Sequence, residues 1–184
     1  MSDTQNQPVV IKLKKVRLSF CQALFSAKSF EESDAKFSST FLLDKKLHAD
    51  SIKEVQNAIN KLAKEKFKGS IPGSLKQCLR DGTEKDHLGG YDDTIMFIAA
   101  NNKKRPVVVD RDVNPVAEED DLIYAGCYVN ATISLWVQDN KYGKRVNAQL
   151  RAVQFVADGE PFGADPIDAA EEFEPLEGED DDLV

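Results

Sequence analysis

The side chains of this chain best placed to do chemistry lie in two neighbouring segments and recur at every second position. Between Cys127 and Gln138 the even positions are Tyr128, Asn130, Thr132, Ser134, Trp136 and Gln138, while the odd ones are Cys127, Val129, Ala131, Ile133, Leu135 and Val137. Between Gly143 and Val156, the residues Arg145, Asn147, Gln149 and Arg151 alternate with Val146, Ala148, Leu150 and Ala152. A period of two sends each set to one face of a strand. Aromatic faces beside cations and amides suit the stacking of unpaired bases and the neutralisation of phosphates, with stacking worth about 1–3 kcal/mol per base. The same residue types also serve as plain cross-strand stabilisers of a sheet. The two readings part on whether both polar sets share one face.

A hairpin with Asp139-Asn140-Lys141-Tyr142 as a four-residue loop makes them do so. It sets Trp136 opposite Arg145, Ser134 opposite Asn147, Thr132 opposite Gln149 and Asn130 opposite Arg151. A slip of one residue would bury the arginines, so the pattern itself selects this pairing. The resulting ribbon presents Tyr128 and Trp136 beside Arg145, Asn147 and Arg151, with Tyr142 and Lys144 at its tip. Further cations extend the track or form solvated faces: Lys12, Lys14, Lys15 and Arg17 in one segment, and Lys103-Lys104-Arg105 after Asn101-Asn102 in another.

The elements that must hold these residues are mostly strands. Alternation and β-branched content predict strands over Val10–Phe20, Phe37–Leu43, Thr94–Ala100 and Pro106–Val109, besides the two long ones. Apolar parity switches across Lys14-Lys15, which predicts a bulge there. The Pro106 strand suits an edge. One helix is predicted, Ile52–Phe67, from apolar residues at spacings of three and four, a capping-box pair Ser51/Glu54 and Gly69 past its end. Ser70–Asp93 reads as a long irregular insertion.

Composition bounds the function. The formal net charge of −8 divides into +4 before Asp158 and −12 from Asp158 to Val184, a stretch without Lys or Arg. A basic body of residues 1–157, its first eight residues flexible, is thus expected to precede an acidic disordered tail of residues 158–184. Such a tail can compete with nucleic acid for the body or reach a basic partner. The apolar runs are too short to span a membrane and the N-terminus is polar, so a cytoplasmic protein is expected. The cysteines Cys21, Cys78 and Cys127 are odd in number and never paired as C-x-x-C, which implies neither a disulfide framework nor a zinc site. No cofactor is implied, and no nucleotide-binding or hydrolase motif is present. A metal-dependent nuclease would need carboxylates from Asp92-Asp93, Asp110 with Asp112, or Glu118–Asp121 to converge. An acidic DNA mimic would use the tail itself and has no need of an aromatic platform.

Three further segments, Tyr124–Ala131, Gln154–Gly163 and Phe97–Asn101 before the Pro-Val-Val-Val-Asp strand, resemble those of tailed-phage single-stranded DNA-binding proteins. The resemblance covers residues 9–184 and is most specific in the second half. It implies a mainly β, elaborated OB-fold: a partly open barrel of five or more strands with one main helix, non-enzymatic, acting in phage DNA replication, recombination and repair. It also implies an acidic tail that shields the DNA groove and contacts phage or host replication proteins such as a polymerase, helicase or primase. In this chain the residues offered to such a partner are Phe173 and the terminal Asp180, Asp181, Asp182, Leu183 and Val184. Many related tails end in an aromatic residue, and this one does not.

Overall fold

The computed structural model describes residues 8–29 and 34–162. The described residues form eight strands and one α-helix: β1 (Val9–Ser19), β2 (Phe37–Asp44), α1 (Ala49–Lys66), β3 (Lys76–Gln77), β4 (Leu79–Asp81), β5 (Ile95–Asn102), β6 (Val107–Val109), β7 (Tyr128–Asn140) and β8 (Gly143–Ala157). Five of them close a ring in the order β1-β2-β5-β8-β7 and back to β1. Every contact in the ring is antiparallel except β5 with β8, which is parallel and short, Ala100 opposite Ala148 and Asn101 opposite Gln149. This is the strand order of an OB-type Greek-key barrel, as the resemblance implied. The free edge of β8 is tiled in turn by β3, β5 and β6, all parallel to it.

Alternation decides which side of each strand is inside. Leu13, Leu18, Phe41, Leu43, Ile98, Ile133, Leu135, Leu150 and Val153 are fully buried and fill the barrel. One end is closed by α1, whose Val55, Ile59 and Ala63 join the same core. The helix starts ahead of the predicted capping box: its N-cap is His48, without a side-chain cap bond. Entry is shaped instead by Asp44, whose carboxylate accepts the N–H groups of Lys46 and Leu47 and is held below its ordinary pKa by them. This aspartate turn orders the residues that lead into the helix and caps none of its first-turn N–H groups. The helix ends where Lys68 and Gly69 turn left-handed.

The predicted bulge in β1 is present. Its register with β7 shifts between Leu13 and Val16, and Lys15 sits at φ 49° with its N–H donated to Asn130 Oδ1 at 2.9 Å. The predicted hairpin register is off by two. Asn140 faces Gly143, so the loop is only Lys141-Tyr142, and Trp136 faces Asn147 while Gln138 faces Arg145. Gly143, at φ 119°, supplies the turn conformation that a side chain would resist, and Asn140 Oδ1 accepts the Tyr142 N–H, so the strands zip two pairs further than expected. A shift of two keeps the side-chain parity, which is why the face survives the error. Farther along, Thr132 pairs with Ala152 and Ile133 with Leu150, leaving Arg151 as the extra residue of a bulge. Beyond that bulge the parity of β8 reverses, so Val153 and Phe155 are buried and Gln154 turns outward.

The insertion at residues 70–93 lies over the outside of β2 and β5. There Leu42, Tyr91 and Phe97 form a second small core, with Tyr91 edge-on to Phe97 at 5.4 Å between centroids. It is clamped by Lys45 to Asp81 at 2.8 Å, a contact that with the Thr83 hydrogen bonds holds the Asp81 carboxyl down at about 2. Tyr91 donates to Ser19 Oγ at 2.9 Å, both groups buried. Replacing Tyr91 with phenylalanine is expected to cost about 1–2 kcal/mol of stability, since it strands a buried hydroxyl partner without opening a cavity. Urea titration of the two proteins checks this. Burial pushes all three thiols up, Cys78 to about 11, so none is primed to react.

Candidate nucleic-acid interface

The outer face of the ring carries the predicted polar set on adjacent strands. On β7 it shows Tyr128, Asn130, Thr132, Ser134, Trp136 and Gln138; on β8, Arg145, Asn147, Gln149, Ala152 and Gln154; on β1, Val10, Lys12, Lys14 and Arg17. Trp136 is 45% exposed although its strand neighbours Leu135 and Val146 are buried. Asn147 is fixed beside it by donating to Gln138 Oε1 at 2.9 Å, and Ser134 donates to Gln149 at 3.0 Å. The face is thus pre-organised around an aromatic ring left in water. From Trp136 to Tyr128 runs about 26 Å of strand.

Tyr128 is half-buried and faces Arg17 of β1. It lines a groove of about 720 Å³ with Lys14, Lys15, Arg17 and His48. His48 sets one wall of it: Nδ1 accepts the Asp44 N–H at 2.9 Å, which leaves Nε2 as the donor to the Lys15 carbonyl at 3.0 Å. Lys14 also borders a second groove, walled by Lys12, Val107, Val109 and Val113. Lys14 lines both depressions.

The other predicted residues divide. Arg151 is exposed on its bulge. At the start of the loop Lys103-Lys104-Arg105, Asn102 donates to the Leu150 carbonyl at 2.9 Å and its Oδ1 accepts the Lys104 N–H. In that loop Lys103 approaches Asp34 at 3.4 Å and the Arg105 guanidinium lies 5.5 Å from the Phe37 ring centre. Arg145 sits next to Lys76 at the β3 edge. Tyr142 is at the hairpin tip, 71% exposed, with the Lys141 amine 5.1 Å from its ring centre. Lys144 departs from expectation. It pairs with Asp139, on the opposite parity from Arg145, and its amine lies 5.0 Å over Phe67 at the end of α1. The tip residues therefore do not share one face.

The first part of the acidic segment is not separate from the barrel, contrary to the expected boundary at Asp158. Tyr124 donates to Asp158 and accepts the Gly159 N–H, Phe162 N–H donates to the Ala125 carbonyl, and the Arg17 guanidinium both donates to the Glu160 carbonyl and lies 3.9 Å over the Phe162 ring. Gly126 and Gly159 let the two backbones meet: a Cβ on either would lie 2.2 Å and 2.1 Å from a carbonyl oxygen of the other segment. Residues 158–162 form a strap beside Tyr128. Phe173 and Asp180–Val184, proposed for partner binding, lie outside the described residues.

The carboxylates weighed for a nuclease are spent on turns. Asp92 accepts from Thr94, Asp110 from Asp112 and Asn114, and Asp120 from Ala117, and hydrogen bonding lowers the pKa of the first two. Among the described residues no group of three His, Cys, Asp or Glu side chains could hold a metal ion, and no helix is long and apolar enough to cross a membrane. The groove valines and the strap were missed by sequence reasoning. Alternation flags neither a lone valine in a polar turn nor a packed segment inside an acidic run.

The family described as "Enterobacter phage Enc34, ssDNA-binding protein" matches residues 9–184. The "Putative protein p50" of Acyrthosiphon pisum secondary endosymbiont phage 1 is 35% identical over 184 residues, 95% of this chain and 98% of that protein. The single-stranded DNA-binding protein of bacteriophage Enc34 in complex with ssDNA superposes with a TM-score of 0.72 at 31% identity, covering 84% of this chain and 89% of that one. The single-stranded DNA-binding protein gp2.5 of bacteriophage T7 shares the fold, with a TM-score of 0.57 at 18% identity over 91% of this chain and 96% of its own.

Proposed function

Because the chain belongs to the family of the Enterobacter phage Enc34 single-stranded DNA-binding protein, we propose that it binds single-stranded DNA with little sequence preference, without catalysing a reaction, during phage DNA replication, recombination and repair. The observation that carries this reading is Trp136, an indole held 45% exposed on a face that also carries amides and cations. Bases stack on Trp136, Tyr128 and, at the tip, Tyr142. Phosphates meet Lys12, Lys14, Arg145, Arg151 and the loop Lys103-Lys104-Arg105. Lys144 serves the hairpin tip from the helix side. Little sequence preference follows because every base has a stackable face and the amides of the surface are largely paired with one another. The acidic tail competes with DNA for the cations and recruits replication proteins.

The test uses the single tryptophan as reporter. Titration with unlabelled oligo-dT is expected to quench Trp136 fluorescence, duplex of equal length to do so weakly, and rising salt to weaken binding as fewer counterions are released. Absence of any response, together with no mobility shift, would overturn the reading.

A further inference from the structure

The second groove, of about 390 Å³, falls within the ~300–1,000 Å³ of ligand-sized clefts. One wall is Lys12 and Lys14 of β1, neither of them in an ion pair among the described residues. The other wall is aliphatic: Val107 and Val109 of β6 and Val113 of the turn that follows.

Val113 is anomalous twice over. It is 68% exposed, and its φ is 65°, a left-handed conformation that β-branched residues almost never adopt. The turn forces it. Asp110 accepts the N–H groups of Asp112 and Asn114 at 2.9 Å through its carboxylate, its own N–H donates to the Asn114 carbonyl, and Val113 N–H donates to the Asp110 carbonyl. Asparagine or glycine would occupy this position without strain. Neither the exposure of the valine nor its backbone favours the fold. What the side chain does touch is the groove, and strain of this kind gathers at binding sites.

The floor explains what the groove can recognise. Lys15 N–H donates to Asn130 Oδ1, Asn130 Nδ2 donates to Gln154 Oε1 at 3.1 Å, and Gln154 Nε2 points to the carbonyls of Asp110 and Arg111 at 3.4 and 3.3 Å. Both amide oxygens are occupied, and the chain of bonds fastens the floor to the valine turn. The remaining polar side chain of the floor is the Thr132 hydroxyl, which can donate or accept and so favours no one base edge.

We infer that this groove is a base slot: one unstacked nucleobase of single-stranded DNA lies against Val113 and Val107, flanked by phosphates on Lys12 and Lys14, and its identity goes unread. Lys14 also lines the Tyr128 groove. This inference rests on the single-stranded DNA reading above and adds to it a site other than the aromatic rings.

The test compares the full-length protein with Val113→Asn and Val107→Ala, by fluorescence anisotropy with labelled oligo-dT, oligo-dC and an abasic strand of equal length, alongside thermal melting without DNA. Val113→Asn is expected to melt at or above the wild-type temperature. It should bind oligo-dT and oligo-dC about 3- to 10-fold more weakly, or ~0.7–1.4 kcal/mol, and the abasic strand equally well; Val107→Ala should follow the same pattern. Unchanged affinity for oligo-dT in Val113→Asn, an equal loss on the abasic strand, or a lowered melting temperature would each overturn the slot. Failure of the wild-type protein to bind any strand would bring down the DNA reading itself, a result distinct from those three.

Discussion

Replacing Trp136 with alanine is expected to weaken binding to oligo-dT by about 1–3 kcal/mol, roughly 5- to 150-fold, while leaving the fold intact. The indole is 45% exposed, so its removal empties no core space. The core side of β7 at this point is held by Leu135 and Ile133, which are unaffected. The neighbouring amides keep their own partners, Asn147 with Gln138 and Ser134 with Gln149. What is lost is a flat apolar surface next to Arg145 and Asn147. Anisotropy titration gives the affinity and urea unfolding gives the stability. A phenylalanine at the same position should recover most of the binding, because it restores a ring without an N–H. Wild-type affinity in the alanine variant would make Trp136 a cross-strand stabiliser of the sheet and nothing more.

The long strands β1, β7 and β8 were legible because each has one dry and one wet face, and a period of two is hard to produce otherwise. A break in that period marked the β1 bulge at Lys14-Lys15, and spacings of three and four marked the helix stripe through Val55, Ile59 and Ala63. Turn length was less legible. Alternation is blind to a shift of two, so Trp136 was matched with Arg145 where the structure pairs it with Asn147; the glycine at 143 was the informative residue. The bulge at Arg151 left only a weak trace, the loss of alternation between Ala152 and Val153. Lys144 was read as part of the binding tip because sequence shows a cation near two aromatics, while its place over Phe67 depends on α1 ending there. Val113 and the strap escaped for a different reason. The strap is set by a tertiary contact, Arg17 with Phe162, that no local pattern records, and the left-handed Val113 by hydrogen bonds of Asp110 within its own turn, which hydrophobic alternation does not register.

Those strap contacts give the acidic segment two parts that truncation can separate. Deleting residues 163–184 removes ten acidic residues and no basic one while leaving Asp158–Phe162 in place. Affinity for oligo-dT is expected to rise at low salt and the gain to shrink as salt rises, since a tethered polyanion competes only within a Debye length of about 8–10 Å. The melting temperature should stay close to wild type, because every strap contact named above remains. Deleting residues 158–184 is expected to differ in stability. It also removes Phe162 from Leu42, Tyr91 and Phe97, leaves the Tyr124 hydroxyl without Asp158, and releases the Arg17 guanidinium from Glu160. The half-buried ring alone is worth about 1–3 kcal/mol. Arg17, which already lines the groove with Lys14 and Tyr128, then loses the partners that hold its guanidinium in place. Two proteins with equal stability would show the strap to be idle. Equal affinity of the first deletion and the full chain at low salt would show that the acidic segment does not compete with DNA.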